Sequence, residues 1–215
     1  MITQNGELPA LESPRVADSL RSVVAADEVA AAVRRELQRR SPMPVAVRVR
    51  GAAVVVAGLS PVRPEAVVAA AVEDDGNPGR VVLYAVTQAH RHSVPLRVIH
   101  VWTGGIPPCP GVRMCRHDRM SDADRLLSAI LYDHLPAESA DAAEREILHD
   151  RDPVRALTEL STTTGLLVIG ARSSYAVAGE VLGDTARALI GRTACPLALL
   201  PAHGEPVEPV PPCTW

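Results

Sequence analysis

Between Val67 and Pro201 short apolar runs alternate with longer amphipathic stretches, and this alternation constrains the fold more than any other feature of the chain. The apolar runs are "VVAAAVED" (Val67 to Asp74), "PLRVIHVW" (Pro95 to Trp102), "EREILHD", "LLVIGA" and "PLALLP". Between them lie "GRVVLYAVTQAHRH", "SDADRLLSAILYDHL", "DPVRALTELSTTT" and "DTARALIGR"; in the second, Leu126, Leu127, Ile130 and Leu131 form a helical stripe. Five strands alternating with four helices imply a mostly parallel sheet covered on both faces by right-handed crossovers. The composition fits: Phe is absent and aromatics make up 2%, so Val, Ala, Leu and Ile must fill the core. The expected class is α/β, doubly wound, with a five-stranded parallel sheet and helices on both faces.

Upstream the pattern differs. Residues 1–16, with Pro9 and Pro14 and no periodicity, read as a flexible tail. "AADEVAAAVRRELQRR" reads as a helix: Val29, Val33 and Leu37 recur every four residues, acids open it and arginines crowd its last turns. Pro42 and Pro44 stop it. "VAVRVR" then alternates as a half-buried strand, and after Gly51 "AAVVVAG" reads as its hairpin partner. The expected organisation is therefore a tail (1–16), a small helix–hairpin unit (17–64), the main domain (65–201) and a disordered Pro-rich tail (202–215).

Several functions are disfavoured. Lys+Arg 22 against Asp+Glu 25 gives a net charge of -3, which offers no general attraction to nucleic acid or anionic lipid. The N-terminus has neither a charged n-region nor an apolar h-region, and no apolar run approaches the roughly 18 residues of a membrane span, so a cytoplasmic protein is expected. Cys109, Cys115 and His117 lie close together, but five residues separate the thiols and no second pair follows; no metal site is expected. His90 and His92 fall at a helix end, where imidazoles complement the dipole. His100 reads as a satisfied core histidine and Cys195 as packing. The chain has no G-x-x-x-x-G-K-[ST], G-x-S-x-G or H-E-x-x-H motif, and no catalytic residue is assigned.

"LLVIGARSSYAVAGEVLGDTARALI" runs from an apolar strand through a glycine-containing loop into a helix. Backbone N–H groups and a helix dipole converge in such a segment, as anion binding requires. Asp184 at the helix start reads as an N-cap that occupies the place a phosphate would take.

"SVPLRVIHVW", "LLVIGARS", "VLGDTARALIGRTACPLALL" and the acidic end of "AAAVEDD", in that order and spacing, resemble the universal stress protein family. The resemblance covers Glu65 to Pro201 and implies the strand order 3-2-1-4-5. The family's nucleotide-binding members carry Gly, two residues, Gly, nine residues, then Gly followed by Ser or Thr. Here Gly170 matches the first glycine and Ser173 replaces the second; nine residues run from Ser174 to Leu182, Gly183 matches the third glycine and Asp184 replaces the hydroxyl residue, with Thr185 next to it. The resemblance also places Glu73 at the family's first-strand Asp and the backbone of Val101 against the adenine.

It further implies ATP or another adenine nucleotide as ligand, with magnesium if phosphate is held, and a homodimer formed through the last strand. The expected function is a stress-response binding and signalling module with a degenerate nucleotide pocket. The rival reading is a dimeric scaffold that binds no nucleotide and acts on an unknown protein partner through its surface or N-terminal unit. An enzyme is disfavoured, because the loop lacks an evident base or phosphate-binding lysine.

Overall fold

The computed structural model describes residues 14–40, 45–60, 66–73, 78–102, 116–172 and 180–201. Its elements, in chain order, are α1 (Pro14–Arg40), β1 (Val47–Arg50), β2 (Ala53–Val56), β3 (Val68–Ala71), α2 (Pro78–His92), β4 (Leu96–Trp102) and α3 (Arg116–His134). They continue with α4 (Ala137–Ala142), β5 (Glu144–His149), α5 (Pro153–Leu160), β6 (Leu166–Gly170), α6 (Asp184–Leu189) and β7 (Leu197–Leu200).

Local chemistry explains several boundaries. At α5 the Asp152 carboxylate accepts from the N–H groups of Val154 and Arg155, and Pro153 opens the helix where no donor is needed. The β1–β2 hairpin turns on Gly51, whose φ of 57° suits the first central position of a two-residue turn. α1 begins at Pro14, inside the stretch read as a tail; a proline at the first helical position has its fixed φ already set for the helix.

The seven strands of the described residues form one sheet in the order β1-β2-β7-β6-β3-β4-β5. The five parallel strands keep the expected order, with β3 first and central between β6 and β4. The sheet is seven-stranded rather than five-stranded, because the hairpin does not stand apart from it. β2 runs antiparallel along the outer edge of β7, in the register Val54↔Leu199, Val55↔Ala198 and Val56↔Leu197. The physical reason is burial: Ala53, Val54 and Val56 are at most 1% exposed, and an isolated hairpin could not bury both its faces. The edge of β7, expected to pair two copies of the chain, is thus occupied from within.

Each face of the sheet carries its own core. Val29, Val33 and Leu37 of α1, with Leu157 and Leu160 of α5 and Leu189 of α6, pack on Val54, Val56, Leu167, Ile169, Leu197 and Leu199. Val81, Val82 and Ala85 of α2, with Leu127 and Leu131 of α3, pack on Val68, Ala70, Val98, Val168 and Ala198. The helices that follow β3 and β6 therefore lie on opposite faces. That divergence opens a crevice at the C-terminal ends of these two strands.

Candidate functional site

The crevice is bounded by two adjacent parallel strands. Their register pairs Ala70 with Val168, and continuing it sets Val72 level with Gly170. Glu73 follows Val72 and is exposed at the end of β3, and Gly170 ends β6. The fold thus brings these two expected residues to neighbouring strand ends.

Val101 contributes backbone. Ile99 accepts at its carbonyl from Val72 N–H at 2.9 Å, so it faces β3, whereas Trp102 accepts from Asp150 N–H and faces β5. Alternation along a parallel strand gives Val101 the orientation of Ile99. Its N–H and C=O therefore point to the β3 side, past the last β3–β4 pair, Ala71↔Ile99. His100 is half-buried, and its Nδ1 lies 3.1 Å from the Val72 carbonyl. A carbonyl only accepts, so Nδ1 carries the hydrogen, and this histidine holds together the ends of β3 and β4.

The described residues on either side of the 173–179 stretch are tied to the sheet and to each other. Ala171 N–H donates to Leu200 O at 2.7 Å, and Gly183 N–H donates to Ala171 O at 2.8 Å. Ser173 lies outside the described residues, as do Cys109, Cys115 and the stretch 202–215. Gly170 has no positive φ, and among the described residues a Cβ there would meet only Arg172 O at 3.4 Å, an ordinary contact. Among the described residues, neither backbone strain nor crowding requires glycine at this position.

Asp184 corrects the reading of the helix start. The N-cap is Gly183, and no side chain caps the helix; Asp184 is already the first helical residue. Its carboxylate is 99% exposed and sits 3.9 Å from Arg187 Nη1. A capping side chain must leave a non-helical residue to reach the free N–H groups, so one position too late it turns to solvent. Thr185, beside it, is half-buried.

Cations collect at this end of the sheet, which the sequence reading missed. Arg187 donates to Leu182 O at 3.1 Å and lies 3.6 Å from Glu180. Arg172 lies two residues past the end of β6. Arg80, in the first turn of α2, is 4% exposed and donates from Nη1 to Pro201 O at 3.1 Å; burial draws its pKa below the ordinary value. On the far side, Trp102 and His149 meet edge to face at the ends of β4 and β5, with ring centroids 4.4 Å apart. The described residues supply cations, glycines at the end of β6 and the start of α6, a backbone edge and an aromatic pair, groups of the kind that can hold an anion and a planar base.

Residues 66–201 match the sequence model of the universal stress protein family. The chain belongs to this family. Similar solved structures of universal stress proteins include UspA from Lactobacillus plantarum, 17% identical, covering 61% of this chain and 94% of that one with a TM-score of 0.47. Another is a universal stress protein in complex with cAMP, 20% identical, covering 65% of this chain and 99% of that one, TM-score 0.47. A third, from Archaeoglobus fulgidus in complex with dAMP, is 20% identical over 64% of this chain and 99% of that one, TM-score 0.44. No curated protein sequence matches the chain significantly. The family match begins at β3 and leaves α1 and the β1–β2 hairpin outside it. No helix among the described residues is long and apolar enough to cross a membrane.

Proposed function

We propose that this universal stress protein domain is a binding and signalling module that holds an adenine nucleotide in the crevice between β3 and β6. The base lies against the Val101 backbone, Glu73 faces the nucleotide, and the phosphates approach the loop from Gly170 to Thr185. The observation that carries this reading is Gly170: a glycine that neither its φ nor its packing among the described residues requires, at the strand end where a ligand would need close backbone approach. The solved cAMP and dAMP complexes belong to other members of the family.

Asp184 weakens phosphate binding only slightly on this reading. Its carboxylate is solvent-exposed and beside Arg187, so the water-like limit applies: about 1 kcal/mol for a phosphate charge about 4 Å away. Replacing it removes a penalty of roughly fivefold in affinity. Calorimetric titration with ATP and with cAMP, with and without magnesium, tests the proposal on wild type, Asp184→Ser and Gly170→Ala. The expected result is wild-type binding, several-fold tighter for Asp184→Ser and abolished for Gly170→Ala. If no form binds either nucleotide while all stay folded, the crevice is vestigial and the scaffold reading replaces this one. If Asp184→Ser weakens ATP binding only when magnesium is present, the carboxylate assists the metal and the sign assigned to it is wrong.

A further inference from the structure

Joining the hairpin to β7 moves the free edge of the sheet to β1. Among the described residues, β1 pairs only with β2. Ala57 N–H donates to Ala46 O at 2.9 Å. Bonded and non-bonded residue pairs alternate in an antiparallel ladder. The bonded pairs are therefore Ala46–Ala57, Arg48–Val55 and Arg50–Ala53, and Val47 and Val49 direct their N–H and C=O groups outward. Val49 is 39% exposed. A row of outward donors and acceptors is a template for another strand.

Side chains give this edge a sign. Val47 and Val49 share the α1 face with Val54 and Val56, their cross-strand neighbours. Arg48 and Arg50 project to the opposite face, where α2 packs. Arg50 and Arg91 lie near enough to Tyr84 to oppose the rise that burial imposes on its hydroxyl. Arg48, Arg50 and Arg91 form no ion pair among the described residues, whereas Arg97 and Arg145 at the opposite edge pair with Glu144, Glu146 and Asp124. A second copy is a poor occupant. Antiparallel self-pairing of β1 about a two-fold axis keeps each residue on its own face and so sets arginine against arginine, which is repulsive.

We propose that β1 is a docking edge for an acidic, extended segment of a partner protein, which adds to the sheet beside Val47 and Val49 and places alternate carboxylates against Arg48 and Arg50. The partner's intervening apolar residues continue the surface of Val47 and Val49.

The test uses the full chain and a blocked peptide in which Glu alternates with Val, with a Lys–Val peptide as control. Binding of the acidic peptide alone is expected, accompanied by slowed hydrogen exchange at the Val47 and Val49 amides. Arg48→Glu with Arg50→Glu should weaken it by about tenfold or more, because two cross-strand pairs change from attraction to repulsion. Val49→Pro removes an outward N–H without costing a β1–β2 hydrogen bond, so it should abolish binding while leaving the unfolding midpoint nearly unchanged. The proposal is overturned by equal binding of the two peptides, by a Val49→Pro form that still binds, or by absence of binding at millimolar peptide. Tighter binding of single-stranded RNA or anionic vesicles at the same arginines overturns it as well.

Discussion

Gly58 joins the hairpin to the loop that leads into β7. A Cβ built there would lie 2.2 Å from Ala194 O, 2.4 Å from the Cys195 carbonyl carbon and 2.5 Å from Cys195 O. All three are backbone atoms, so no side chain can swing away and one segment must shift by about 1 Å to restore ordinary contact. Two hydrogen bonds lie just beyond the contact, Leu59 N–H to Thr193 O and Ser60 N–H to Ala194 O, each 2.9 Å. Overpacking strain of about 1–3 kcal/mol and the weakening of two bonds worth about 1 kcal/mol each give Gly58→Ala a cost of roughly 3–5 kcal/mol. Detaching the hairpin instead would expose Val54 and Val56, about 2 kcal/mol each, together with the β2–β7 ladder. Detachment is the costlier escape, so the variant should keep its hairpin docked and lose stability as a whole. Guanidinium unfolding should show a lower midpoint with an unchanged slope. Gly170→Ala is the control: its Cβ would make an ordinary 3.4 Å contact, and its stability should stay within about 1 kcal/mol of wild type. A Gly58→Ala protein as stable as wild type, or a separate early transition for the hairpin, would refute this reasoning.

Other outcomes can be measured in parallel. Leu127, fully buried on the sheet-facing side of α3, should cost about 3 kcal/mol as Leu127→Ala in the same unfolding assay. Burial raises the Tyr84 hydroxyl above its ordinary value of 10.0, against the pull of Arg50 and Arg91. Both states hold this proton below that value, so the contribution to stability is intact there and is lost as pH rises toward the folded pKa. Alkaline unfolding should therefore steepen above pH 10, and Tyr84→Phe should flatten it. Cys195 is buried and its thiol is pushed up by burial, with Thr164 beside its sulfur. A thiol reagent at neutral pH should modify it only at the rate of unfolding.

The legible part of the fold was the part set by local pattern. Period and length separated strands from helices, and the stripe of Val29, Val33 and Leu37 is indeed the buried face of α1. The crevice followed from topology, since only the order of parallel strands decides where flanking helices diverge. The hairpin's attachment was not legible, because "AAVVVAG" states that both faces are buried without stating what covers the edge. "LALL" of β7 carries the same ambiguity, all four residues being buried. Asp184 was misplaced by one position, since capping depends on which residue first adopts helical dihedrals. Arg80 and Arg172 could not be found from sequence, because an arginine in a first turn or after a strand looks like any solvated cation until the chain packs around it. α4 was missed because six residues give too short a window for a helical period.

The β2–β7 ladder also has a kinetic meaning. Val54 precedes all five parallel strands in sequence and Leu199 lies in the last of them, yet they are direct partners. A strand made early must wait for the one made last, and loop closure over such a separation is slow. Until β7 arrives, the apolar residues of β2 have no ladder to join, and this is the stretch of chain most exposed to wrong pairing during synthesis. The arginines of β1 then act as guards over their own neighbour, because like charges at alternate positions discourage two unfinished chains from zipping together.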